Sequence, residues 1–150
     1  MGAGRRWLIA TAAAGLCAAS LALPTYSPFN PQFSTTTYSG AHAFELGWQA
    51  LTEWELTDAD WWILAAAWLA NPAVWCAIVA AGCGRWRVVG IAAACALALC
   101  LPVLLRLPEV LAPNPGCWAW SGSAALLLTV CVLVRCRGPC GIKRRARLLH

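Results

Sequence analysis

The chain has 150 residues, 61% of them hydrophobic and only 11% charged, with a formal net charge of +5 and a mean hydropathy of +0.64. Soluble domains run at about 45–50% apolar and about 25% charged, and a chain this short has too little interior to hide the excess. An ordinary water-facing domain is therefore excluded. The cations stand at the ends of apolar runs, so the positive balance reads as membrane topology and not as a nucleic-acid surface.

Arg5 and Arg6 precede the first charge-free run, residues 7–23, which is about 25 Å long as a helix. A basic start followed by an apolar stretch also fits a secretory leader. No A-x-A site follows it, and Cys17 has no L-A-G before it, which favours an uncleaved first span. Residues 24–56 then form an outer loop whose first half, rich in Pro, Ser and Thr, is predicted to be irregular. From Ala43 onward, Phe44, Trp48, Leu51 and Trp54 recur at helical spacing, predicting a short amphipathic helix on the membrane surface.

Thr57 and Asp60 stand as a capping pair before the next apolar run, which sets the second span at 57–83. Its charge-free part, from Trp61, is about 34 Å long and crosses a hydrocarbon core of about 30 Å with some tilt. Trp54, Trp61, Trp68 and Trp75 are spaced by seven, drifting only about 20° per step around the helix. Trp61 fits the interfacial aromatic belt. Trp68 and Trp75 are expected to pack against neighbouring helices, with a stacking surface for a lipid or quinone-like ring as the alternative.

Asn71 and Pro72 lie near the middle of this span. Proline lacks an N–H and so strips the Trp68 carbonyl of its helical donor, which predicts a kink. An amide at that depth turns from lipid toward the freed carbonyl or a facing helix. Asn71 is read as structural, with ligand or ion contact as the alternative. Spans at 88–105 and 118–136 follow, then a basic tail, residues 137–150. Thr11, Gly15 and Ala19, Gly90, Ala94 and Ala98, and Ser121, Ala125 and Thr129 place small residues at every fourth position. Such rows predict close backbone approach, within the chain or to another copy. The fold class expected is an all-α membrane protein, one domain of four transmembrane helices in an antiparallel bundle.

With the N-terminus inside, the inner segments carry Arg5, Arg6, Arg85, Arg87, Arg135, Arg137, Lys143, Arg144, Arg145 and Arg147, and the outer ones only Arg106. The positive-inside rule then puts both termini in the cytoplasm, in a cell inner membrane. The acids Glu45, Glu53, Glu55, Asp58, Asp60 and Glu109 all fall outside.

The nine cysteines include no C-x-x-C, and neither His42 nor His150 stands near one, so no metal site is expected. No catalytic group and no cofactor-binding motif is read from the chain. Expected partners are the lipid bilayer and other membrane subunits or copies of itself, with no nucleic acid. Three function classes compete. A non-enzymatic accessory, assembly or envelope component needs no reactive group. A small oligomeric transporter or channel would want a charge within a span. A membrane thiol oxidoreductase would want paired outer cysteines, for which only Cys100 and Cys117 come into question.

Gly40-Ala41-His42-Ala43-Phe44-Glu45-Leu46-Gly47-Trp48, followed by Ala67-Trp68-Leu69-Ala70-Asn71-Pro72, resembles an uncharacterised family of small bacterial four-helix integral membrane proteins. That family has a W-x-A-N-P core in its second helix, matched here by W-L-A-N-P, and an aromatic start to its fourth, here Trp118-Ala119-Trp120. The resemblance implies architecture and location, and no activity.

Overall fold

Alanine, the strongest helix former, fills the first helix, α1 (Ala3–Ala22), in a computed structural model that describes residues 2–28, 38–52, 59–106, 111–113 and 115–136. For residues 26–28, 59–61, 64, 106 and 111–113 the backbone alone is described. Proline at 24 disfavours helical dihedrals in the residue before it. Leu23 is accordingly extended, at φ -80 and ψ 153, and the chain continues as strand β1 (Pro24–Pro28). Strand β2 (Tyr38–Ser39) runs directly into α2 (Gly40–Thr52). Then come α3 (Ala59–Gly82), α4 (Trp86–Arg106), β3 (Leu111–Pro113) and α5 (Pro115–Cys136).

Two helix boundaries have plain local causes. After α3 the Arg85 N–H bonds the Ala80 carbonyl at 2.8 Å and the Gly84 N–H bonds the Ala81 carbonyl at 3.0 Å. This is the Schellman pattern, and Gly84 supplies the positive φ of 74° that it requires. The turn is so short that α3 and α4 fold back on each other. Proline opens α5, where its missing N–H is one the first turn leaves unbonded in any case.

The strands form a three-stranded sheet in the order β2-β1-β3. Tyr26 pairs with Tyr38 on one side and with Pro113 on the other, both antiparallel. The chain is overwhelmingly helical, as expected, and the irregular first loop is corrected: a small sheet ties the two loops at one end of the molecule together. Prolines stand at the ends of β1 and β3, where strands tolerate them.

The α2 helix is where the Phe44 and Trp48 spacing put it, but its packed face differs from the expected one. Its buried positions are Gly40, Gly47 and Ala50, while Phe44 and Trp48 are exposed. Trp54 and the Thr57 cap lie outside the described residues.

Helix α3 packs along α4, α5 along α1 and α4, and α1 against α3. Their common core is built from small side chains: Ala10, Ala13 and Cys17 of α1, Ala70, Val74, Ala77 and Ala81 of α3, Ala93, Ala96 and Cys100 of α4, and Ala124, Leu127 and Cys131 of α5. The bulky residues Leu8, Trp62, Val79, Ile91, Leu101, Leu105, Trp118 and Val132 point outward. The small-residue rows expected at the contacts are mostly one register off. Thr11, Gly15, Ala19, Ala94, Ala98, Ala125 and Thr129 are exposed, and of those rows only Gly90, half-buried, and Ser121, buried, turn inward. In helices this rich in alanine the every-fourth pattern occurs on several faces, and the outward demand of the Trp and Leu side chains selects among them.

Three of the described helices are long and apolar enough to cross a membrane, over Ala65–Gly82, Trp86–Leu105 and Pro115–Cys136. Three of the four spans expected are shown on this measure. Helix α1 falls short because Arg5 and Arg6 lie in its first turn, leaving an apolar part of about 24 Å.

Candidate functional site

Near the middle of α3, Pro72 leaves the Trp68 carbonyl without its helical N–H. The neighbouring side chain replaces it: Asn71 Nδ2 donates to the Trp68 oxygen at 3.1 Å. From α5, Trp120 Nε1 donates to Asn71 Oδ1 at 2.9 Å. An indole N–H can only donate, so it fixes which end of the amide faces α5 and leaves the nitrogen for Trp68. One amide thus joins a kink to a helix 49 residues away in sequence. A second N–H of Asn71 remains.

The Trp68 ring lies beneath α2. Its centroid is 5.4 Å from that of Phe44 and 5.3 Å from that of Trp48, with the planes tilted 43° and 48°, an arrangement aromatic pairs favour. Its own indole N–H is buried without a hydrogen-bond partner among the described residues. A donor left so costs about 1–3 kcal/mol.

Close approaches hold α2 and α5 over the end of α1. A Cβ at Gly40 would run into the Ser20 carbonyl oxygen, and one at Gly116 would stand 2.7 Å from Thr25 Oγ1. Only glycine fits at either point. The Gly40 N–H donates to the Leu23 carbonyl at 3.2 Å, so the first turn of α2 is stitched to the end of α1.

Between these elements is a cavity of about 60 Å³, open on one side and lined by Ser20, Thr25, Phe44, Trp68, Asn71 and Trp120 among others. No charged side chain is among its described lining. Its side-chain polar atoms belong to hydroxyl, amide and indole groups. Ser20 Oγ donates to the Cys17 carbonyl at 2.7 Å, and Thr25 Oγ1 reaches the Leu23 carbonyl at 3.3 Å.

Of the residues singled out by sequence, the site brings Asn71 and Trp68 together. Pro72 is exposed beside them. Trp75 does not join: it is 45% exposed and does not line the cavity. Trp61 lies in the first turn of α3, its side chain outside the described residues. Sequence reasoning missed Ser20, Thr25, Gly40 and Gly116, whose roles depend on loops meeting in space.

Elsewhere, Cys100 and Cys117 are buried and close enough to interact electrostatically. Cys131 Sγ donates to the Trp86 carbonyl at 3.0 Å, tying the late turns of α5 to the start of α4. Among the described residues no group of His, Cys, Asp or Glu could hold a metal ion. No protein-family model, curated protein or solved structure matches the chain.

Proposed function

We propose that this chain is a multi-pass protein of the cell inner membrane, with four spans in an antiparallel bundle. It works by binding, as an accessory, assembly or envelope component rather than as an enzyme. The observation that carries the reading is the distribution of size: the buried core is mostly alanine, with a few Cys, Val, Ile and Leu side chains, while Trp7, Leu8, Trp62, Ile91, Leu105 and Trp118 face outward. In water such an outer surface would aggregate. In lipid it is well solvated, and small interior residues are what let helices approach closely.

Support for counting α1 as a span comes from its company. It lies along α3 and α5, buries Ala10, Ala13 and Cys17 in their shared core, and exposes Trp7, Leu8, Leu16 and Leu21. Support for the orientation comes from the cations. The Arg6 guanidinium packs on Gly84 at the α3–α4 turn, and Trp7 packs on Gly82. The Cys131 bond sets the end of α5 beside the start of α4. Arg5, Arg6, Arg85, Arg87 and Arg135 therefore gather at one end, opposite the sheet and α2, and the positive-inside rule makes that end cytoplasmic. The basic tail beyond residue 136 lies outside the described residues.

Alkaline carbonate washing of membranes tests the lipid-embedded reading. The chain should stay in the pellet and be released only by detergent; release by carbonate alone would overturn it. Crosslinking in membranes followed by detergent purification should capture a second membrane subunit or another copy.

A further inference from the structure

We propose that the arginine-bearing end of the bundle holds the phosphate head group of an anionic glycerophospholipid, with Arg6, Arg85 and Arg135 as its donors. This rests on the membrane reading above and adds a lipid class to it.

Three observations carry it. The first is convergence. Arg6 comes from α1, Arg85 from the turn between α3 and α4, and Arg135 from the last turn of α5. The Arg6 guanidinium packs on Gly84, in the space that a Cβ there would fill, so it lies beside the residue that precedes Arg85. Cys131, one turn before Arg135, bonds the carbonyl of Trp86, the residue after Arg85. A topology signal needs only a count of cations near span ends. It does not need three separate elements to bring them to one place.

The second is the lack of an anion from the chain itself. There is no Asp or Glu before residue 45, from 61 to 108, or from 110 to 150. Among the described residues, none of these three arginine side chains makes a hydrogen bond or an ion pair. Arg6 is not needed to cap α3 either. The Val79, Ala80 and Ala81 carbonyls already accept from the N–H groups of Cys83, Arg85 and Gly84. Gathered like charges repel, and a phosphate offsets that repulsion while matching the forked donors of a guanidinium. The third observation is what adjoins the cations. Trp7 and Leu8 follow Arg6, Val88 stands one turn from Arg85, and Val132 and Leu133 precede Arg135, all of them exposed. A free phosphate gains nothing from such neighbours. A phospholipid lays its acyl chains on them while its head group stays among the arginines.

The test uses the full chain purified in a neutral detergent. Its melting temperature is followed as dioctanoylphosphatidylglycerol, dioctanoylphosphatidylcholine or inorganic phosphate is added. The result expected is a saturable rise with phosphatidylglycerol and none with the other two. Arg6→Gln and Arg135→Gln should each weaken apparent affinity about fivefold. Arg135 is exposed at the end of α5, so its variant reads the site even where Arg6→Gln unsettles the α3–α4 turn. Arg6→Lys keeps the charge but loses the forked donors, and its affinity should fall between those of Arg6→Gln and the unaltered chain. An equal rise with phosphatidylcholine would mean that no anion is selected, and an equal rise with phosphate that no lipid is. Either result would overturn the proposal, as would unchanged affinity in both glutamine variants. Full affinity in Arg6→Lys would reduce the site to diffuse charge and overturn it too. The membrane reading stands or falls separately, by carbonate washing.

Discussion

At the scale of the residue, the central contact is a single amide with two partners. Asn71 accepts from Trp120 at 2.9 Å and donates to the Trp68 carbonyl at 3.1 Å, and in the lipid interior proposed for this helix neither bond would have a substitute. Replacing it by leucine should leave insertion intact. It should lower stability by about 1–3 kcal/mol, because it orphans a carbonyl and an indole N–H together. Asn71→Gln should recover part of the loss. Trp120→Phe alone should cost about 0.6–2 kcal/mol, and after Asn71→Leu it should cost nothing and recover part of the loss, since it removes the indole N–H that leucine leaves unpaired. Thermal melts of the detergent-purified single and double variants measure this. Half of the contact is legible in sequence, since Pro72 frees a carbonyl four residues back and Asn71 is adjacent. The other half is not: nothing local connects Asn71 with a tryptophan 49 residues later. For Trp75 the seven-residue spacing is real, but it fixes only which residues share a face. What that face meets depends on where α4 lies.

At the scale of the element, helices in this chain are separated by their smallest side chains, and substitution should sort by face. A Cβ at Gly90 would stand 2.9 Å from Cys131 Sγ, whereas one at Gly15 would meet nothing within 4 Å. Gly90→Leu should therefore overpack the α4–α5 contact and destabilise by about 1–3 kcal/mol. Gly15→Ala should be neutral, or stabilising by up to about 1 kcal/mol through helix propensity. Melting temperatures of the two variants compare them directly, and equal losses would contradict the observed faces. The apolar runs that became α3, α4 and α5 are legible because charge-free length alone marks them. The sheet is not. Its strands of five, two and three residues carry no alternating apolar pattern, and β1 pairs with a segment more than 80 positions on. Helix α2 was foreseen from its aromatic spacing, but the small residues that dock it were not, because glycine gives no signal of what it lies against.

At the scale of the whole molecule, two unlike ends are joined by a core rich in alanine. One end gathers Arg5, Arg6, Arg85, Arg87 and Arg135, and the other carries the sheet, α2 and the cavity. The cysteines offer a direct reading of which end faces which compartment. Cys83 in the α3–α4 turn and Cys136 at the end of α5 are exposed, whereas Cys17, Cys100, Cys117 and Cys131 are buried. On the proposed arrangement two crossings, α4 and α5, separate Cys83 from Cys136, which puts both on one face, and the arginines beside them would make it the cytoplasmic one. The opposite face is marked by Ser39, at the start of α2. The most direct measurement is labelling with a membrane-impermeant maleimide, followed by mass mapping of the modified thiols, in inverted vesicles and in spheroplasts. The account predicts that Cys83 and Cys136 are labelled in inverted vesicles and not in spheroplasts, and that in the Ser39→Cys variant the new thiol behaves the opposite way. Labelling of Cys83 and Cys136 from opposite faces, or of position 39 from the same face as Cys83, would contradict the four-span arrangement. Reversal of all three would contradict the orientation.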